Sequence, residues 1–332
     1  MSEVVINGYV SNGLRGVGMS LASACFNVDE APRNLAKLKS LSLDNKILYS
    51  SAKVREFHIG TKGKTYVGFS GGKDSTVLLH LVRSIYPDTP AVFFDTGLEF
   101  PEIRDHVKTV DNVTWIRPEK TFKQTIEDYG YPCIGKVCAH WINLAQNGAP
   151  SGIRQMNADT KYGFQKFNYM VDAPFRVSEK CCDVMKKRPA HKYHKETGRC
   201  PYIGTRADES DIRADKFNEI GDNDFSKDIP SSAPLSIWTE DDIWNYIRRF
   251  DLPYSKAYDL GYKRTGCMFC MFGIMGEPDR FLKLKATHPK QWAYCMRERE
   301  SGGLGMREVL DYMKIPTGVE QSLLDQWSDE DV

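Results

Sequence analysis

A short apolar run that enters a glycine-rich loop and then an amphipathic helix constrains this chain more than any other feature. Residues 66–69, Tyr-Val-Gly-Phe, predict a buried strand, and residues 70–75, Ser-Gly-Gly-Lys-Asp-Ser, predict a tight turn. Apolar residues then recur at the spacing of a helix with one buried face: Val77, Leu78, Leu81, Val82 and Ile85. A strand, a loop and a helix in this order predict the first half of a βαβ unit.

The alternation of strands and helices continues along the chain. Residues 91–94 and 113–116 predict two further strands, with a helix at 101–110 between them. Later segments are assigned in the same way, with strands at 201–204 and 235–238 and helices at 44–58, 278–285, 289–300 and 307–313. Thr239 is expected to cap one more helix. We therefore expect an α/β fold, a parallel twisted sheet flanked by helices, with a helical C-terminal extension.

Composition limits the classes of protein to consider. The 45 Lys and Arg against 44 Asp and Glu give a net charge of +1, so no overall attraction to nucleic acid or membrane is expected. No run reaches the ~18 apolar residues of a membrane span. Ser, Asn and Gly interrupt the mildly apolar residues 17–28, which argues against a signal peptide. Nine cysteines in 332 residues do not make a disulfide scaffold. We expect a soluble, cytoplasmic protein without a membrane partner.

The loop at residues 70–75 has the chemistry of a phosphate site. Backbone N–H groups and the positive end of the helix dipole converge where a strand ends and a helix begins. Two glycines let a phosphate approach the backbone, and the other four side chains supply hydroxyls, a positive charge and a carboxylate for Mg²⁺. The spacing of a Walker A loop is absent. The alternative is a tight turn that uses glycine for its geometry and the polar residues as caps.

A carboxylate follows the neighbouring strand. Asp95, Thr96 and Gly97 come directly after residues 91–94, and ligands of open α/β sheets bind at the carboxyl ends of strands. We therefore expect these residues beside the phosphate loop, where Asp74 or Asp95 would hold the magnesium ion.

Residues 69–75, together with the run Phe-Asp-Thr-Gly-Leu-Glu-Phe-Pro at 94–101, resemble the phosphoadenosine phosphosulfate reductase family. That family belongs to the ATP pyrophosphatases with an adenine nucleotide α-hydrolase-like fold, and the resemblance runs from about 64 to 276. It implies that ATP, with Mg²⁺, or an adenylyl-sulfate binds in the loop. The implied nucleotide-binding residues are Phe69, Ser70, Gly71, Gly72, Lys73, Asp74, Ser75, Asp95, Thr96 and Gly97.

Two cysteine pairs suggest a metal centre. Four thiolates from Cys181, Cys182, Cys267 and Cys270 suit an iron–sulfur cluster or zinc. Adjacent cysteines diverge, which a cubane with several irons tolerates better than a single ion. The arrangement is similar to that which holds a [4Fe–4S] cluster in the iron–sulfur sulfonucleotide reductases, so we expect this cluster, with zinc or unliganded thiols as alternatives.

The other cysteines have weaker signals. Cys133 and Cys138, beside Lys136, are expected to be core or surface thiols, with extra ligands or sulfur carriers as the alternative. Cys25 and Cys295 are expected to be structural.

A basic run lies between the first cysteine pair and the next strand: Lys186, Lys187, Arg188, His191, Lys192, His194, Lys195 and Arg199. It is either a solvated segment or a site for phosphates of ATP or nucleic acid. Arg206, after the strand at 201–204, is a candidate for a bidentate phosphate contact. Arg206 and Arg213 have surface pairing with Asp208, Glu209 or Asp211 as their alternative.

The resemblance implies three domains and three functions. The domains are an N-terminal helical or irregular extension at 1–60, the nucleotide-binding and iron–sulfur domain at 61–276, and a helical extension at 277–332. A polar, loop-containing excursion lies at 146–180 and an acidic tail at 328–332.

The favoured function is adenylation of a nucleic-acid oxygen followed by sulfur insertion, as in DNA phosphorothioation systems or, less favoured, tRNA thiolation. Lys73, Asp74 and Arg206 would be catalytic. The expected partners are a cysteine desulfurase and a nucleic acid, which a partner protein or the basic run alone would hold, and the sequence leaves the oligomeric state open.

Two alternatives remain. Sulfonucleotide reduction needs a mobile C-terminal cysteine, whereas the last cysteine here is Cys295 in a helical stretch. A nucleotide-binding, iron–sulfur interaction subunit without catalysis is the other.

Overall fold

Residues 35–159 and 163–319 are described by a computed structural model, in which the chain forms two units. Within the described residues, unit 1 comprises 35–93, 102–115 and 193–255, and unit 2 comprises 94–101, 116–159, 163–192 and 256–319. Most of the predicted N-terminal extension, Cys25 and the acidic tail lie outside the described residues. The domain boundaries at 60 and 276 stay a prediction, because both units combine segments from distant parts of the chain.

The strands, in chain order, are β1 (Thr65–Gly68), β2 (Ala91–Phe94), β3 (Val113–Ile116), β4 (Cys133–Ile134), β5 (Cys200–Ile203), β6 (Asn223–Asp224), β7 (Ser231–Ser232) and β8 (Met271–Phe272). Six of them form one sheet in the order β3-β2-β1-β5-β7-β6. Strand β1 is parallel to both neighbours, with Val67 opposite Ala91 on one side and Tyr202 on the other. The edge strand β6 runs antiparallel to β7. The predicted fold class, a mostly parallel sheet flanked by helices, is confirmed.

The α-helices, in chain order, are α1 (Leu35–Lys39), α2 (Leu43–Gly60), α3 (Lys73–Arg83), α4 (Pro101–Lys108), α5 (Phe122–Tyr129), α6 (Lys136–Gln146), α7 (Pro150–Asn157), α8 (Arg188–Thr197), α9 (Asp211–Ile220), α10 (Glu240–Arg249), α11 (Arg280–Thr287), α12 (Pro289–Met296) and α13 (Met306–Tyr312). Thr239 caps α10 as predicted, because its side chain accepts a hydrogen bond from the Asp242 amide. None of the described helices combines the length and apolar character that crossing a bilayer requires.

One sequence-based assignment is wrong, and a second is incomplete. Residues 235–238 form turns and not a strand, with the Trp238 amide donating to Leu235 O at 3.0 Å. Their apolar side chains are buried, and the Trp238 indole donates to Ser50 Oγ at 2.8 Å, so burial rather than a strand explains the apolar run. The excursion at 146–180 is more regular than expected, since it contains α7 and a 3₁₀ helix, Phe164–Asp172.

Unit 2 contains a two-stranded parallel sheet that positions one cysteine pair. Cys133 of β4 lies opposite Met271 of β8, and the Gly273 amide donates to Ile134 O at 2.7 Å. Strand β8 begins directly after Cys270, and α6 begins two residues after β4, at Lys136. This pairing therefore fixes the end of the Cys267–Cys270 segment next to the start of α6.

A buried carboxyl group in unit 1 leads to a prediction about stability. Asp222 accepts a 2.5 Å hydrogen bond from the Tyr49 hydroxyl, and its Oδ1 is buried without a hydrogen-bond partner among the described residues. Burial raises the pKa of Asp222 from 3.8 to about 6, although Tyr49 and Lys53 oppose the shift. The folded chain therefore holds this proton more tightly than the unfolded chain, so stability falls as the pH rises from about 4 to about 6.

We expect Asp222→Asn to increase the free energy of unfolding by on the order of 3 kcal/mol at neutral pH and to have little effect near pH 4. Urea unfolding at several pH values measures this difference. Asp224→Asn is the matched control and should lower the free energy of unfolding at neutral pH. Burial raises the pKa of Asp224, but hydrogen bonds from Lys227 and Ser226 outweigh it and lower the pKa overall. A loss of stability in Asp222→Asn that does not depend on pH would contradict the prediction.

Candidate phosphate loop and cysteine cluster

The loop between β1 and α3 is held by its own serines. The Ser70 and Ser75 hydroxyls lie 3.1 Å apart, and Ser75 Oγ donates to Gly72 O at 2.9 Å. The Ser70 amide donates to Ser75 Oγ at 3.2 Å. Gly72 is the N-cap of α3, and because it has no side chain, no cap group of its own competes with an anion for the first amides of the helix. The serines therefore hold the loop in place at the start of α3, and phosphate binding there stays a prediction.

Gly71 is required by both conformation and space. Its φ is 72°, in the left-handed region, and a Cβ there would lie 2.8 Å from Val107 Cγ2 and 2.9 Å from Ile103 Cγ2. We expect Gly71→Ala to destabilise unit 1 by about 2–5 kcal/mol, since a left-handed residue costs about 1–2 kcal/mol and overpacking about 1–3. Gly148→Ala is the control, because Gly148 also has a φ of 72° but open space around its Cβ. Chemical unfolding of both variants separates strain from overlap, and equal losses would contradict the steric argument.

The three residues predicted to be catalytic lie in one ion-pair network in unit 1. Lys73 Nζ lies 3.4 Å from Asp74 Oδ2, and Arg206 Nε lies 2.6 Å from Asp74 Oδ1. Arg206 also donates from Nη1 to Asp208 Oδ2 at 2.9 Å. Lys73 and Arg206 are each only 5% exposed. The two cations therefore approach Asp74 from both sides at the start of α3.

Close packing of β5 against α3 brings Arg206 to the loop. Gly204 follows β5, and a Cβ there would lie 3.2 Å from both the Asp74 carbonyl carbon and the Ser75 nitrogen. The surface alternative accounts for Arg213, which pairs with Glu209.

Sequence reasoning missed one member of the network. Glu240 Oε1 lies 3.5 Å from Lys73 Nζ. The acidic run at the start of α10 was a signal, but it favours the helix dipole equally well. Phe69, expected at the nucleotide, is buried, with its ring edge-on to His106 at a centroid distance of 6.0 Å.

Asp95, Thr96 and Gly97 belong to unit 2, whereas the phosphate loop belongs to unit 1. The Asp95 carboxylate accepts from the Gly97 amide at 3.2 Å and pairs with Arg117 Nε, also at 3.2 Å. Asp95 is 2% exposed. Its role with Mg²⁺ stays a prediction.

Thr96 lies against the second cysteine pair. Its hydroxyl donates to Glu99 Oε1 at 2.7 Å and lies 3.9 Å from Cys267 Sγ. The Met268 amide donates to Leu98 O at 2.7 Å. The segment after β2 therefore supports the Cys267–Cys270 loop within unit 2.

The four predicted cluster ligands influence each other in unit 2. The hydrogen bond with Cys182, burial and the charge of Cys267 raise the pKa of Cys181. The same hydrogen bond lowers the pKa of Cys182, with help from Lys136 and Lys186 and against burial. Burial raises the pKa of Cys267 to about 11 and also raises that of Cys270. The Cys181–Cys182 pair therefore loses its first proton more readily than Cys267 or Cys270.

The [4Fe–4S] cluster stays a prediction. In the part of the chain that the structure describes, no three His, Cys, Asp or Glu side chains stand together as a group that would hold one metal ion. The four thiols nevertheless lie close enough for the charges of Cys267, Cys182 and Cys270 to act on Cys181. Four cysteine thiolates in one region have the chemistry of iron–sulfur ligands.

The residues of the basic run have two different environments in the structure. The charges of Cys267, Glu99 and Cys182 raise the pKa of Lys186 against the effect of burial, so this lysine lies beside the cysteines and not in solvent. In contrast, Arg188 pairs with Asp183 at 3.0 Å and Lys192 with Glu119 at 3.4 Å, both at exposed positions. Only part of the run therefore behaves as the solvated segment.

The remaining described cysteines are consistent with core thiols. Cys133, Cys138, Cys200 and Cys295 are buried, and burial raises the pKa of each, that of Cys138 to about 12. A protonated, inaccessible thiol is a poor nucleophile.

Comparison with known sequences identifies one family and two relatives. A family model described as the phosphoadenosine phosphosulfate reductase domain matches residues 64–135 and 113–272. An uncharacterized protein of Methanocaldococcus jannaschii is 27% identical over 270 residues, which are 80% of this chain and 48% of that protein. An adenosine 5'-phosphosulfate reductase of Staphylococcus haemolyticus is 26% identical over 217 residues, 63% of this chain and 71% of the reductase.

Among solved structures, the phosphoadenylyl-sulfate reductase of Candida auris matches with a TM-score of 0.42 and 18% identity, covering 76% of this chain and 97% of that one. The chain spans about half the length of the archaeal relative.

Proposed function

Because this chain belongs to the phosphoadenosine phosphosulfate reductase domain family, whose members include enzymes that act on nucleotides, we propose that it is an ATP pyrophosphatase. In this proposal it transfers AMP to an oxygen of a nucleic acid, and a persulfide from a cysteine desulfurase then attacks the atom that bears this oxygen. The bond to the oxygen breaks, so that AMP leaves with it, and two electrons from a thiol reductant cleave the remaining S–S bond. DNA is the preferred acceptor and tRNA the second. The observation that carries the proposal is the network of Lys73, Asp74 and Arg206 at a loop built for phosphates.

The network suggests how the residues act when ATP binds with magnesium. The loop amides and Ser70 would bind the phosphates, and Asp74 would hold the magnesium ion of the substrate. Arg206 and Lys73, which both pair with Asp74, would stabilise the charge that develops at the α-phosphate as the acceptor oxygen attacks. The bond to the β-phosphate breaks, pyrophosphate leaves, and AMP remains on the acceptor.

The cysteine cluster has a separate place in this proposal. Cys181, Cys182, Cys267 and Cys270 would hold a [4Fe–4S] cluster, which supplies redox chemistry for the sulfur step when it is bound. Lys186 supplies a positive charge beside these ligands.

The products of ATP cleavage test the proposal. Purified protein with ATP, Mg²⁺ and single- or double-stranded DNA should release AMP and pyrophosphate, with tRNA tested in parallel. ADP and orthophosphate as products would contradict the assignment. Bound ATP without turnover in any acceptor assay would favour the interaction subunit.

Sulfonucleotide reduction is the second candidate, because two adenosine 5'-phosphosulfate reductases are 26% and 28% identical to this chain over 63% and 60% of its length. That reaction predicts sulfite from adenosine 5'-phosphosulfate and a thiol donor. The buried position of Cys295 argues against it as the attacking thiol. Sulfite release in the absence of ATP would replace our proposal with this one.

A further inference from the structure

We propose that Arg280 positions the Cys267–Cys270 ligand loop and supplies a buried positive charge to the cluster bound there. The inference rests on the iron–sulfur part of the proposed function. Arg280 is the first residue of α11 and lies beyond residue 272, where the match to the family model ends. The family comparison therefore gives it no role.

The guanidinium group of Arg280 connects three parts of unit 2. Its Nη2 donates to the carbonyl oxygen of Cys267 at 3.0 Å, and its Nη1 donates to Glu277 Oε2, also at 3.0 Å. The centre of the guanidinium lies 6.0 Å from the ring centroid of Phe100. Phe100 belongs to the segment whose Thr96 contacts Cys267 Sγ. Arg280 thus connects the start of α11 with the Cys267 carbonyl and with the segment around Phe100.

The contact with the Cys267 carbonyl bears directly on the loop. The same carbonyl accepts the Cys270 amide at 3.1 Å, which closes the turn between the two cysteines. A second donor on this oxygen holds the peptide plane, and with it the direction of the Cys267 side chain. Partners that fix the orientation of metal ligands typically change metal affinity roughly 10–100-fold when they are lost.

The charge of Arg280 is retained in a buried place. The residue is 5% exposed, and its Nε is buried without a hydrogen-bond partner among the described residues. Burying a guanidinium is unfavourable unless negative charge lies close by. Glu277 supplies one such charge, and four thiolates on a cluster supply more, so the cation favours the more negative, reduced state of the cluster.

The test compares Arg280→Met, which keeps the length of the side chain without the charge, with Arg280→Lys, which keeps the charge without the forked donor. Lys283→Met is the control, because Lys283 lies on the same helix and donates to Gly261 O at 3.1 Å, away from the cysteines. After anaerobic purification, iron and sulfide content, absorption near ~400 nm and the reduction potential of the cluster are measured. Arg280→Met should bind iron roughly 10–100-fold more weakly and have a more negative potential.

Arg280→Lys should recover the potential but only part of the iron affinity, and Lys283→Met should match the unchanged protein in both. Full iron content and an unchanged potential in Arg280→Met would overturn the proposal. Alkylation rates of Cys267 and Cys270 in the iron-free chain provide a second measurement: Arg280→Met should raise them and Lys283→Met should not. Unchanged rates would overturn the positioning role. An unsubstituted protein that binds no iron would contradict the cluster itself, whatever the alkylation rates show.

Discussion

Replacing Lys73 by Ala is expected to lower the rate of AMP and pyrophosphate formation by roughly 10²–10³-fold, the typical effect of removing one preorganised donor from a developing charge. Lys73 is the first residue of α3, is 5% exposed, and lies 3.4–3.5 Å from Asp74 and Glu240. A buried cation at the positive end of a helix is unfavourable unless anions surround it, so the carboxylates hold Lys73 ready for phosphate. The measurement is initial-rate release of pyrophosphate at saturating ATP.

Two controls distinguish catalysis from folding. Lys108→Ala removes an exposed lysine of unit 1 that pairs with Asp105 at 2.7 Å, and it should leave the rate unchanged. Unfolding of Lys73→Ala by urea shows whether the network also stabilises unit 1. A folded Lys73→Ala variant that retains its rate within about threefold would remove this lysine from the mechanism, since that difference is below 1 kcal/mol.

Replacing Cys270 by Ala is expected to remove most of the bound iron and to destabilise unit 2 by several kcal/mol, because the free energy of metal binding adds to that of folding. Cys270 ends the turn that starts at Cys267 and directly precedes β8. Its loss removes one of four ligands, so the cluster would be left with an open iron. Iron content and thermal unfolding under anaerobic conditions measure the two effects.

Cys295→Ala is the matched control. Cys295 is fully buried, and its Sγ donates to Trp292 O at 3.2 Å, so its loss should affect packing alone. We expect full iron content and a loss of about 1–2 kcal/mol, the scale of a small core truncation. Equal iron in the Cys270→Ala and Cys295→Ala variants would show that Cys270 is not a ligand.

The local parts of the fold were predictable because their signals are local. The strand at β1, the turn at Gly71 and the helix α3 each follow from a few consecutive residues: apolar side chains, a left-handed glycine and helical spacing. The failure at 235–238 has the same cause. A short apolar run shows that a segment is buried, but a buried turn and a buried strand share that pattern.

The α/β class, the phosphate loop as a candidate site and the four cysteines as candidate ligands follow from the amino-acid sequence, since motif and periodicity act over short stretches of chain. The charge pairs follow from the tertiary structure instead. It brings Glu240 to Lys73 and Arg206 to Asp74, places Lys186 beside the cysteines while Arg188 pairs at the surface, and lets Arg280 bind the Cys267 carbonyl. Some of these partners are far apart in sequence. Others, such as Arg206, have several acidic residues nearby in sequence with which they could pair. Which charges pair depends on how helices and strands pack, and that packing is set by the burial of the whole core rather than by the residues that pair.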